Sequence, residues 1–282
     1  MECGSAEDRI LLAARGCRPD NGDAEMLLTV LSVGRILDLY DCEQTEHGPT
    51  EAAARLSVSK SKAHLLMTSM AEIGLLRRTP GGRYCVGWRA LSLERLVTGN
   101  APFRPVARAM AVRLARHCGE MIHVAALDAG RVVYVDRIPG TRAIEIPMSS
   151  VGAMLPAHCS GVGKLLLAHL DPGQIDAILD RHGMGRLTEA TICDREALYA
   201  ELHRIRRDGV SCDREEVQLG LSCAAAPIVD ADGQVVAAMS ISAPTSRFRH
   251  SESAYRRTIV GAADGVSRQL RTSALTEERR VS

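Results

Sequence analysis

A chain of 282 residues, 46% hydrophobic and 24% charged, has apolar side chains enough for ordinary cores, and its length favours two domains over one. The formal charge of +1 names no partner, and no apolar run reaches the length of a membrane span. Nine cysteines fall without a CxxC pair, which fits reduced thiols in a cytoplasm and neither a disulfide framework nor a zinc ribbon.

The distribution of charge says more than its sum. From Met1 to Ala54 there are 4 Arg against 11 Asp and Glu, whereas Arg55 to Arg89 holds 7 Lys and Arg against Glu72 alone. A basic block inside a neutral protein is an electrostatic footprint for a polyanion.

Residues 1–24 read as an acidic, flexible arm in which AEDRILLAAR has helical character. They lack the cationic start, apolar stretch and cleavage site of a secretory signal, so a cytoplasmic protein is expected. From Glu25 apolar residues recur at helical spacing to about Asp41, and TEHGP breaks the chain. Thr50 is a cap for a short helix, EAAARL, and Ser57–Val58–Ser59 turns into a third helix from Lys60 to Ile73, stopped by Gly74. LLRRTPGGRYCVG is a hairpin turned by Pro80, Gly81 and Gly82.

Three helices and a basic hairpin make a winged helix-turn-helix. At 100° per residue, Ala63, Leu66, Met67 and Met70 share the core face of the third helix. The opposite face offers Ser61, Leu65 and Thr68, flanked by Lys62 and His64. The major groove admits one α-helix, and those five side chains are placed to reach base edges. Lys60 suits a phosphate, and Arg77, Arg78 and Arg83 on the wing suit the flanking backbone or the minor groove.

Residues 89–119 read as mostly helical, with NAPF as a hinge. Strand periodicity then takes over: MIHVAALDAGRVVYVDRI is a hairpin and AIEIP another extended run. Helices follow in GVGKLLLAHL, PGQIDAILDRH and REALYAELHRIRRDG. Three strands come next, VSCDREEVQ, LSCAAAPIV and QVVAAMSISA, then a last helix from about Ser251 to Leu270 and a polar tail. Hairpins with separate helices indicate an antiparallel α+β domain. The expected organisation is an arm over 1–24, a winged helix-turn-helix over 25–88, a linker over 89–105, a second domain over 106–271 and a tail over 272–282.

SVSKSKAHLLMTSMAEIGLLRR, LPAHCSGVGKLLLAHL, TEATICDREALYAELHRIRRDGVSCDREE and LSCAAAPIVDADGQVVAAMSIS, in this order and spacing, resemble the IclR family of bacterial transcription regulators. The resemblance covers about Leu28 to Phe248. It implies an α+β chain with an N-terminal winged helix, a linker helix and a C-terminal GAF-like effector domain. It also implies dimers or tetramers on (pseudo)palindromic operators and a small organic acid or aromatic carboxylate as effector. By position, the family's effector pocket falls on Ile144, Gly161, Val162, Asp213, Leu221, Cys223, Ser240 and Ser242. Lys62 and Leu65 stand where the family usually has Thr and Arg, so a different operator is expected. Cys159 replaces a more usual small residue.

The residues carry a matching chemistry. Ser160, Gly161 and Val162 open a helix, where free N–H groups favour an anion. Ser240 and Ser242, two apart on a strand, face one side, as do Leu221 and Cys223. Asp213 is an acceptor for ligand hydroxyls. HCSGVGKL is not a phosphate loop, because His158 and Leu165 occupy the places of Gly and Ser or Thr. His158–Cys159 is no nucleophile–base pair, since such a pair meets in space with a third group orienting the base. No cofactor motif and no regular metal spacing is found. A thiol redox sensor, and an enzyme built on the C-terminal domain, are the competing readings.

Overall fold

The computed structural model describes residues 27–41, 43–146 and 149–281, and the chain divides into two units after Ala101. The acidic arm and the helix start at Glu25 lie outside the described residues.

In the N-terminal unit, α1 spans Leu28–Leu37, α2 Pro49–Leu56 and α3 Lys60–Glu72, followed by β1, Leu76–Arg78, and β2, Tyr84–Val86. Gly48, not Thr50, precedes α2. Pro49 takes the first helical position, where its fixed φ suits the helix and its missing N–H leaves no donor unsatisfied. The Glu51 carboxylate reaches back to the Gly48 N–H at 3.4 Å. Ser57 ends α2 in the left-handed region at φ 55°, and the Ser59 Oγ accepts the Lys62 N–H at 3.2 Å, which starts α3 two residues later. The four residues plotted to the core face of α3 are buried. They pack with Ile36, Leu56, Leu76 and Tyr84, each large side chain contributing about 1.5–3 kcal/mol.

In the next segment, α4 is Arg89–Gly99, and Asn100–Pro102 interrupts the helix before α5, Phe103–Cys118. The C-terminal unit is built on a six-stranded antiparallel sheet. Its strands are β3 (Met121–Asp128), β4 (Arg131–Ile138), β5 (Met154–Pro156), β6 (Ser211–Arg214), β7 (Leu221–Val229) and β8 (Val235–Pro244), in the order β5-β4-β3-β8-β7-β6. Ala129 and Gly130 turn the first hairpin with φ of 46° and 84°, the hand that matches strand twist. Helices α6 (Gly161–Leu167), α7 (Pro172–His182) and α8 (Arg195–Asp208) lie between β5 and β6 in sequence, and α9 (Thr245–Val281) closes the chain.

Pleating sorts the sheet into two faces. Ala125, Ala225 and Ala238 share a core with Leu165 and Leu167 of α6, Ile175 and Leu179 of α7, and Leu198, Leu202 and Ile205 of α8. The alternate residues, among them Ile122, Val124, Ala224, Met239 and Ile241, are buried against α5 and α9. The result is a three-layer α/β/α sandwich.

Three expectations need correction. AIEIP is not a strand: residues 143–146 are loop, tied down where Arg142 N–H donates to Gly119 O at 2.7 Å and Arg137 pairs with Glu145 at 3.0 Å. The pairing on the outer edge of β4 is made instead by Met154–Pro156. The last helix starts six residues before Ser251 and runs on to Val281, past the tail expected beyond Leu270. Thr245 opens it directly after β8, its hydroxyl bonded to Ser222 at 2.9 Å.

Candidate functional site

The pleat places one polar row above another on the helix-covered face. Asp213, Cys223 and Ser242 are cross-strand neighbours on β6, β7 and β8, and Ser240 and His123 are paired on β8 and β3 one step along. Seven residues named from sequence, Gly161, Val162, Asp213, Leu221, Cys223, Ser240 and Ser242, line one cavity at this end of the sheet. Ile144 does not: it packs beside the cavity with Met121, Ile146 and Leu221. The space open to a water centre is about 20 Å³, room for little more than one water, so a ligand must spread these walls.

Glycine is required at the start of α6. A Cβ on Gly161 would stand 2.7 Å from the Cys223 sulfur, and one on Gly163 only 2.3 Å from the Ala157 carbonyl oxygen. The anion seat expected there is partly taken by the chain itself: Ser160 Oγ accepts the Gly163 N–H at 3.0 Å, and the Gly161 N–H is directed at Cys223.

Asp213 is buried and accepts the Glu216 N–H at 2.7 Å. Burial pushes its carboxyl up to about 7; the neighbouring Glu216 carboxylate adds to the rise, and Lys164 with the backbone N–H groups of Glu216 and Val217 opposes it. Behind Asp213 the buried Lys164 ammonium is held by Glu216 and, at 3.7 Å, by Glu201. Burial raises Glu216 too, against the pull of Lys164. Lys164 is therefore an internal structural cation.

Sequence reasoning missed His123, Tyr134 and Ser149, all of which line the cavity. His123 is a single polar residue in the apolar strand MIHVAAL, and that isolation was the available signal. Its Nδ1 lies 3.3 Å from Ser242 Oγ, its ring 4.8 Å from that of Tyr134, and its buried Nε2 has no hydrogen-bond partner. Burial first, then Arg137, holds its pKa down to about 3, so the ring is neutral. Burial likewise raises the Cys223 and Cys159 thiols, with the Asp213 carboxylate adding to both. Among the described residues no three His, Cys, Asp or Glu side chains converge as a metal site.

On the N-terminal unit, Lys60, Ser61, Lys62, His64 and Leu65 are exposed on one side of α3, Leu65 by 68%. Thr68 sits lower on the rim, half-buried, its hydroxyl 3.1 Å from the Tyr84 hydroxyl of the wing. Arg77 and Arg78 are exposed on β1, and the Arg77 guanidinium lies 5.4 Å over the Trp88 ring. Arg83, expected at the DNA, is also tied within the fold. It donates to Glu46 O at 2.8 Å and pairs with Glu51 at 2.7 Å, binding the wing to the start of α2.

Residues 33–80 match the family described as IclR helix-turn-helix domain, and residues 96–268 match Bacterial transcriptional regulator IclR C-terminal. The chain is 32% identical over 238 residues to the HTH-type transcriptional regulator XynR of Escherichia coli (strain K12), covering 84% of this chain and 94% of that protein. It is 31% identical over 242 residues to the Transcriptional repressor IclR of the same organism, covering 84% and 88%. Among solved structures, an IclR homolog from Microbacterium hydrocarbonoxydans complexed with 4-hydroxybenzoate superposes with a TM-score of 0.76 at 25% identity, covering 86% of this chain and 99% of that one. The Thermotoga maritima IclR gives 0.69 at 27%, covering 87% and 100%. With a helix-turn-helix at one end, a small cavity lined by polar side chains in the other unit and a family match over more than half its length, the chain belongs to the IclR family of bacterial transcription regulators.

Proposed function

We propose that this regulator reads an operator through the exposed face of α3 and answers a small organic acid held in the cavity beside Asp213. Lys60 and the wing residue Arg78 supply phosphate contacts; Ser61, Lys62, His64 and Leu65 supply base contacts, with Thr68 at their edge. The observation that carries the DNA half is the cluster of cations around the start of α3, exposed while the opposite side of the helix forms the core. What supports dimers on a (pseudo)palindromic site is α4, where Leu91, Leu96 and Val97 are each more than 60% exposed and no residue is buried. A second copy covering that helix presents two recognition helices to successive major grooves. The effector acts through differential affinity for two arrangements of the dimer, and residues 89–105 are the covalent route between the units. A cytoplasmic location goes with this role.

The thiol-sensor alternative needs a thiol of lowered pKa, and burial moves Cys118, Cys159, Cys212 and Cys223 the other way.

Selection of duplexes from a random library tests the DNA reading: a single enriched, two-fold symmetric motif is expected, and an unenriched pool rejects it. Lys60→Ala is expected to weaken binding to all duplexes alike and to reduce the slope of log affinity against log salt by about one. Affinity and slope equal to the parent's would remove Lys60 from the backbone contacts. Leu65→Arg is expected to change the selected motif, since an apolar side chain at that place contacts a thymine methyl and a guanidinium prefers guanine. The measurement is the same selection run on the variant, and an identical motif would place Leu65 outside the interface.

A further inference from the structure

The cavity wall holds an unfilled hydrogen-bonding group on His123. That side chain is 1% exposed, lines the cavity, and its Nε2 has no partner, while its Nδ1 faces Ser242 Oγ at 3.3 Å. A buried polar atom left without a partner is unfavourable by about 1–3 kcal/mol unless something meets it. Every other polar side chain on the wall is a hydroxyl, an amide, a thiol or the Asp213 carboxyl; no Lys or Arg lines it. The nearby cations are committed elsewhere, Arg137 to Glu145 and Ser149, and Lys164 to Glu216 and Glu201. An effector carboxylate or keto oxygen therefore meets uncharged donors only.

We propose that His123 is the donor that selects the effector: Ser242 donates to Nδ1, the proton sits on Nε2, and Nε2–H binds a carboxylate or keto oxygen of a compact acid. The Tyr134 ring, at 4.8 Å and tilted 39°, limits rotation of the imidazole, so the donor direction is set before the ligand arrives. Asp213, at the far end of the same polar floor, takes a hydroxyl of that ligand as donor. The ligand class is a small hydroxy or keto acid, since in this tautomer a cationic amine would set one donor against another at Nε2. This inference rests on the reading of the cavity as the effector site.

The geometry allows a test that separates binding from folding. The side-chain amide nitrogen of glutamine reaches about as far as imidazole Nε2, and that of asparagine only as far as Nδ1. His123→Gln therefore keeps the ligand donor, whereas His123→Asn keeps a partner for Ser242 and loses it. Calorimetric titrations of the full chain with glycolate, lactate, pyruvate, benzoate and 4-hydroxybenzoate are run on the parent and both variants, with melting temperatures as the folding control. The expected result is a hydroxy or keto acid that binds the parent more tightly than benzoate, which carries neither group, binds His123→Gln within a few-fold, and binds His123→Asn about tenfold or more weakly, a loss of one hydrogen bond. Equal binding to parent and His123→Asn overturns the role of His123 and leaves the cavity as the effector site. No binding of any of the five to the parent overturns the acid effector and this proposal with it.

Discussion

Replacing Lys164 by Met is expected to destabilise the C-terminal unit by about 3–5 kcal/mol, because it removes one member of a buried ion pair and strands the other. Lys164 is 1% exposed and lies on α6 between Glu216 and Glu201, with Asp213 held to the Glu216 backbone on the far side. Methionine fills nearly the same volume, so the cavity contribution is small and the loss is electrostatic. Without the ammonium, Glu216 and Asp213 are two buried carboxyls whose burial already pushes both pKa values up. Both rise further, so the variant folds with protons bound that the unfolded chain has released. The destabilisation is therefore smaller near pH 5, where those protons are available, and larger at pH 8. Urea denaturation at the two pH values measures it. A second change, Glu216→Gln, in the Lys164→Met background is expected to recover a large part of the loss, since it removes the stranded charge. A uniform loss at both pH values, unrelieved by Glu216→Gln, would mean that packing and not charge makes Lys164 indispensable.

That network was only half legible in the sequence. Lys164 stands out within GVGKLLL because it interrupts an apolar run, and a phosphate loop is excluded by His158 and Leu165 alone. Nothing local says that its partner is Glu216, 52 residues away. Such pairing is decided by how β6 returns beside α6, a tertiary fact with no periodic trace. The same division runs through the rest of the molecule. The core face of α3 follows from Ala63, Leu66, Met67 and Met70, because 100° per residue is fixed by the helix itself. The parity of Leu221 with Cys223, and of Ser240 with Ser242, follows from the pleat. The start of α2 was misplaced by the Thr50 cap signal, since Pro49 with Gly48 satisfies the first turn without a hydroxyl. AIEIP has strand composition, yet Arg142 and Arg137 bind its neighbourhood into a loop that composition does not encode. The ties of Arg83 are not legible in the sequence because its partners, Glu46 and Glu51, lie 37 and 32 residues back in the chain. His123 was passed over because strand periodicity marks facing, whereas what matters is that one ring nitrogen ends without a partner.

Asp213→Asn is expected to make the protein more stable at pH 8 while weakening its response to the effector. In the folded chain the Asp213 carboxyl titrates at about 7; unfolded, an aspartate titrates near 3.9. Between those values the folded state holds a proton that the unfolded state has lost, so stability falls as pH rises, with the full contribution present below about pH 4 and gone above about pH 7. Three pH units correspond to about 4 kcal/mol, an upper bound because Glu216 and Lys164 are coupled to the same site. Asparagine retains an oxygen to accept the Glu216 N–H and carries no charge to bury. The variant should therefore gain up to that amount at pH 8, gain about a third of it at pH 5, and show a flatter stability profile between them. Urea midpoints across this range are the measurement, and parallel profiles for parent and variant would show that Asp213 is not ionised at a cost in the fold. An acid group kept buried at the expense of stability, on the floor of a cavity with a neutral histidine and two serines, is what a ligand site retains and a core does not.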